Sequence, residues 1–131
     1  MSGGPLSPGL RGSARLTVRP ADTAAALGSG DVDVLGTPRL IALVEAAAVA
    51  ALHGHLDPGT TSVGTGVTME HLAATPVGVE VQAEAELTAV DGRSLRFEVR
   101  AWDARGDVAR GSHTRALLDR ARFLERAAAR S

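Results

Sequence analysis

The stretch that most constrains this fold is Thr37–Leu52, TPRLIALVEAAAVAAL, an apolar run with a single acid inside it. Thr37 and Pro38 read as a helix start, a hydroxyl N-cap followed by proline at the first helical position. His53 and Gly54 read as its end. Between Arg39 and His53 the only charged residue is Glu45, and Ile41, Ala48 and Leu52 share its stripe on a helix. A helix that is apolar on nearly all sides is wrapped by other structure. A carboxylate set in such a helix must reach a solvent strip, a partner or a cavity, because burying a bare charge is very costly. The pattern predicts a central helix carrying one chemical group.

After residue 60 the apolar period changes from helical to two. Across residues 61–72, Val63, Val67, Met69 and His71 fall on one parity and Ser62, Gly64, Gly66 and Glu70 on the other. Residues 77–89 alternate almost without error, with Val79, Val81, Ala83, Ala85 and Leu87 set against Glu80, Gln82, Glu84 and Glu86. Asp91-Gly92 is a hairpin signal. A three-residue loop, Val90-Asp91-Gly92, keeps inward residues paired, Leu87 with Leu95 and Ala85 with Phe97, and sets Glu86 opposite Arg96. A last strand over 108–118 carries Gly111, His113 and Arg115 on one parity, and a short helix over 120–130 follows. Upstream, residues 1–13 have the composition of a flexible leader, 14–19 suit a first strand, 21–27 a helical turn or two, and 28–36 a loop with a brief strand at 32–35. The expected organisation is that leader and then one domain over 14–131. The element order is strand, long helix, then four antiparallel strands. One helix cannot cover both faces of such a sheet, so a homodimer through a strand edge or a sheet face is expected, or a tetramer built from such dimers.

Composition excludes several classes. With 131 residues the chain can bury a real core. A net charge of −1 argues against nucleic acid or a membrane surface as partner. The aromatics are Phe97, Trp102 and Phe123 alone, too few for base-stacking platforms. There is no cysteine, and His53 and His55 lack a third ligand at suitable spacing, so no metal site is expected. No apolar run has the length of a membrane span, and the N-terminus lacks the apolar stretch of a signal peptide, so a cytoplasmic protein is expected.

Thr37, Glu45 and His71, the Ser62-Val63-Gly64-Thr65 stretch, the residues 73–78 (AATPVG) and the Gly111-Ser112-His113-Thr114-Arg115 strand resemble the fluoroacetyl-CoA thioesterase group. The similarity runs over residues 34–123. It implies an α+β hotdog fold, an antiparallel five- to six-stranded sheet wrapped as a meander around one long central helix. It also implies a homodimer that hydrolyses acyl-CoA thioesters to free acid and CoA, needing no cofactor beyond the coenzyme A of the substrate. Residue by residue, it implies Thr37, Glu45 and His71 as the catalytic group, with Gly64 beside the acyl group and Arg115 near the site. The fluoroacetyl-specific enzyme of the group carries phenylalanines before its helix that form a lid over the acyl pocket. Residues 28–36 contain no aromatic, so a different small acyl group is the expected substrate.

The residue types suit that chemistry. Thioester hydrolysis needs an activated nucleophile and a stabilised oxyanion. Glu45 fits as general base on water or as direct nucleophile through an anhydride. His71 fits as proton shuttle, and Thr37 as a hydrogen-bond donor at a helix start. Gly64 would let backbone approach the thioester. Taken singly the same residues have plainer readings: Thr37 an N-cap, His71 and His113 packed histidines, Arg115 a surface ion pair. A hotdog enoyl-CoA hydratase and a non-catalytic acyl-CoA binder are the rival functions. One tension is visible. Eight helical residues separate Thr37 from Glu45, about 12 Å at roughly 1.5 Å per residue. Either the substrate lies along the helix, or the helix begins later, or the site mixes two subunits.

Overall fold

A computed structural model describes residues 4–131. Strand β1 (Arg11–Thr17) leads through a 3₁₀ turn (Pro20–Asp22) and the one-turn helix α1 (Ala24–Leu27) into the long helix α2 (Thr37–Leu52). Four strands follow, β2 (Thr60–His71), β3 (Glu80–Asp91), β4 (Ser94–Asp103) and β5 (Gly106–Asp119), then helix α3 (Arg120–Ala128). The sheet is antiparallel throughout, in the order β1-β3-β4-β5-β2. Five strands and one buried helix match the expected architecture. The expected meander holds only for β3, β4 and β5. The chain between β2 and β3 crosses the sheet, so β2 ends at one edge and β1 at the other.

The core forms where the helix and the inner sheet face meet. Leu40, Leu43, Val44, Ala47, Ala48, Ala51 and Leu52 of α2 pack on Val81, Ala83, Ala85 and Leu87 of β3 and on Leu95, Phe97, Val99 and Ala101 of β4. Both periodicities point their apolar residues into one layer. The alanines let the helix lie close to β1, and a Cβ at Gly12 would run into the backbone of Ala47 and Ala51.

Several expectations change in register. β1 begins at Arg11, so residues 11–13 pair with β3. Gly9 N–H also bonds Leu87 O at 2.8 Å, and Leu6 and Leu10 pack against the core. The expected leader is thus partly tied down; its residues 1–3 lie outside the described residues. The expected strand at 32–35 is two isolated bridges, Thr23 with Leu35 and Val34 with Pro76.

The β3–β4 hairpin does not use the expected three-residue loop. Asp91 pairs with Ser94 around a two-residue turn, with Gly92 at φ +58°. A register shift between Leu87 and Ala89 then restores the inward parity, pairing Leu87 with Phe97 and Ala85 with Val99. Glu86 consequently faces Glu98, not Arg96. A bulge adds one residue as effectively as a longer loop does, and the hydrophobic alternation is satisfied by either.

A second bulge matters more. β2 shifts register between Gly64 and Gly66, leaving Thr65 unpaired. Past it, Val67, Met69 and His71 share a face with His113, Gly111 and Ala109. Before it, Ser62 and Gly64 take that inner face and Val63 turns to the other. Single-parity counting had put Ser62 and Gly64 opposite His71. An extra residue reverses which side chains point inward.

Candidate functional site

The chemistry-bearing residues form two clusters, at opposite ends of β2. The first sits where α2 begins. Gly36, not Thr37, is the N-cap; Thr37 is the first helical residue and Pro38 follows it. This leaves the Thr37 hydroxyl free of capping, and its Oγ1 lies 2.8 Å from His71 Nδ1 at the end of β2. The other ring nitrogen, His71 Nε2, is buried and has no hydrogen-bond partner among the described residues. Buried polar atoms are nearly always paired, so this nitrogen is open to a partner from outside the described chain, whether water, ligand or a second copy.

The start of α2 is anchored from behind by a buried acid. Asp22, 2% exposed, accepts from Arg19 N–H at 2.8 Å, Arg19 Nε at 3.2 Å and Arg39 Nε at 3.3 Å. Its backbone carbonyl also accepts from Gly36 N–H at 2.9 Å. The Arg19 hydrogen bond above all holds this carboxyl below the usual carboxylate range, against the effect of burial; the charges of Arg19 and Arg39 add to it.

The second cluster surrounds Glu45, two turns further along α2. Its side chain is 37% exposed, and Oε2 lies 3.6 Å from Arg115 Nη1 and 4.0 Å from His113 Nε2. The setting is therefore an ion-paired rim, where the carboxylate reaches both solvent and a charged partner as its place in an apolar helix requires. Gly64 lies directly against it: a Cβ there would come within 2.5 Å of Glu45 Oε2. Arg115 is 6% exposed. Its Nε donates to Ser62 Oγ at 2.9 Å, Nη2 to Ser62 O at 3.0 Å, and Nη1 to His113 Nε2 at 3.1 Å. Burial pushes its guanidinium below the ordinary arginine range, while Glu45 acts in the opposite direction.

Within one chain the clusters do not meet. α2 is regular from Thr37, which removes the option of a later helix start. Along β2, His71 is roughly 20 Å from Gly64 at about 3.3 Å per residue. Thr37 and His71 come together as the motif implies; Glu45 joins Gly64 and Arg115 instead. Sequence reasoning missed Ser62 and His113 as members of the Glu45 cluster. The signal available was the Gly64-Thr65-Gly66 run, whose two glycines flank the bulge that turns Ser62 inward.

The chain matches the model of the fluoroacetyl-CoA-specific thioesterase family over residues 18–121. A fluoroacetyl-CoA thioesterase of Streptantibioticus cattleyicolor is 38% identical over 91 residues, 70% of this chain and 66% of that relative, just under two thirds of its length. Among solved structures, a Phe-to-Ala mutant of the fluoroacetyl-CoA-specific thioesterase in complex with fluoroacetate and CoA superposes with a TM-score of 0.85 at 33% identity, covering 90% of this chain and 99% of that one. A hot-dog-like protein from Thermanaerovibrio acidaminovorans, at 23% identity and a TM-score of 0.85, covers 94% of this chain and 91% of its own and shares the fold.

Proposed function

Because the chain belongs to the fluoroacetyl-CoA-specific thioesterase family, we propose that it hydrolyses a small acyl-CoA thioester to the free acid and CoA in a site completed by a second copy of itself. The observation that carries this reading is the Thr37–His71 pair with its unpartnered, buried Nε2, set apart from Glu45 in the same chain.

β2 supplies the means of assembly. It is a twelve-residue edge strand, and an unpaired edge is a template for another strand. Antiparallel pairing of β2 with its copy about a two-fold axis near Val67, counting the bulge at Thr65, sets His71 across from the partner's Ser62. That places the Thr37–His71 pair beside the partner's Gly64 and Glu45. On this reading Glu45, whose carboxylate is open to water, takes the proton as water attacks the thioester carbon. The C–S bond breaks, and the leaving CoA thiolate takes up the proton that Glu45 received, which restores the carboxylate. Thr37 O–H donates to His71 Nδ1, so that Nε2–H faces the thioester oxygen, where negative charge develops. Arg115, whose Nε, Nη1 and Nη2 each donate to Ser62 or His113, lies beside Glu45 and acts through it. No cofactor enters these steps, and the protein works in the cytoplasm. The acyl group is small and differs from fluoroacetyl, since no aromatic stands in residues 28–36 to close over it.

The test is thiol release from a panel of short saturated acyl-CoAs. Glu45→Ala and His71→Ala should each lower the rate by ~100-fold or more while the oligomer persists. Full activity in both variants overturns the mechanism. Saturable binding without thiol release would instead make the protein a binder, and turnover confined to unsaturated acyl-CoAs, without thiol release, a hydratase.

A further inference from the structure

His113 reads from sequence as a packed histidine, and it is packed: 1% exposed and stacked on Phe97 with ring centroids 6.1 Å apart. Its hydrogen bonds say more. Nδ1 lies 2.7 Å from the carbonyl oxygen of Gly66. A carbonyl can only accept, so Nδ1 carries the proton. Nε2 lies 3.1 Å from Arg115 Nη1, and a guanidinium can only donate, so Nε2 presents a lone pair. Both partners select the same neutral tautomer.

Resting on the thioesterase reading above, we infer that His113 is a positioning residue that holds the Arg115 guanidinium away from Glu45, so that the carboxylate stays available to water. Nη1 is the guanidinium nitrogen nearest Glu45, and it has a second N–H beyond the one given to His113. With Nε on Ser62 Oγ and Nη2 on Ser62 O, the bond to His113 fixes where Nη1 sits, and it stops 3.6 Å from Oε2. A charge-assisted N–H···O bond closes to about 2.7–2.9 Å when nothing restrains it. A carboxylate locked in such a bond has a lone pair committed and is a poorer acceptor for the proton of an attacking water. The bulge at Thr65 is part of the device, because it turns Ser62 to the face that carries Arg115.

Two substitutions separate the ends of the imidazole. His113→Asn keeps a donor near Nδ1 for the Gly66 carbonyl and removes the acceptor at Nε2. His113→Gln places an amide oxygen near Nε2. His113→Asn should lower kcat by ~10-fold to ~100-fold, as misplacement of a catalytic group does, with KM for the acyl-CoA nearly unchanged. In its crystal structure Arg115 Nη1 should close on Glu45 to hydrogen-bond length. His113→Gln should recover most of kcat and keep the longer separation. Wild-type kcat in His113→Asn, or equal losses in both variants together with equal losses of melting temperature, overturns the inference. Should neither variant fold, ¹⁵N NMR of the wild-type ring decides: a proton on Nε2 overturns it. A wild-type protein inert toward every acyl-CoA would defeat the functional reading, while the Arg115–Glu45 separation in His113→Asn still tests the positioning role.

Discussion

Glu45 keeps its place because residue 64 has no side chain. The Cβ that would meet its carboxylate within 2.5 Å would also sit 3.3 Å from the His113 ring. Since the Glu45 carboxylate is the far end of a flexible side chain, it can move aside at little cost to folding. Gly64→Ala is therefore expected to leave the melting temperature nearly unchanged while lowering thiol release by ~10-fold or more; a fully active Gly64→Ala enzyme would show that the carboxylate does no work where it stands. At this scale the sequence was partly legible. Glu45, His71 and Thr37 stand out by residue type and spacing. Ser62 and His113 do not, because their roles depend on a bulge that reverses parity and on hydrogen bonds whose direction no pattern of hydrophobicity encodes. Arg115 is legible as a residue near the site, but its engagement by Ser62 and His113 is a property of packing.

The helix α2 runs over Thr37–Leu52, the limits that the proline, the apolar run and the glycine after His53 indicate. Long periodic elements are read well because each residue repeats the same message. The β3–β4 register was not legible, since two turn geometries satisfy one alternation and only the three-dimensional course selects the bulged form. The position of α2 depends on a short-range tie, Asp22 with Arg19 and Arg39, that the sequence did not announce. Its pH behaviour follows from its depressed pKa. The stability it contributes is present above the unfolded value of about 3.9 and is lost as pH falls through the lower folded value. Asp22→Ala should cost about 2 kcal/mol at neutral pH, the scale of losing charge-assisted hydrogen bonds in a buried site, and the acid limb of the stability curve should flatten. Urea denaturation across pH 2–7 checks both, and an unchanged acid limb would show that Asp22 does not anchor the helix.

For the whole molecule, the distance between the two clusters has an assembly-level consequence. Glu45→Ala and His71→Ala homodimers each lack one half of every site. Mixed and allowed to exchange subunits, they should regain roughly a quarter of the wild-type rate, because about half of the reassorted dimers are mixed and each holds one intact site. Simple additivity of two inactive preparations would place each site within one chain. The sequence carried the hint of this arrangement in the 12 Å offset between Thr37 and Glu45. It could not show how the gap is closed, since an edge strand and its copy read the same as an edge strand alone.

The unpaired Thr65 makes the middle of β2 sensitive to counting before chemistry. Deleting one residue between positions 62 and 67 would straighten the strand and swing Ser62 and Gly64 to the far face, taking Arg115's anchor and Glu45's clearance with them, though every core side chain would remain. Among descendants of this chain, substitutions there can be many, but insertions and deletions should be nearly absent.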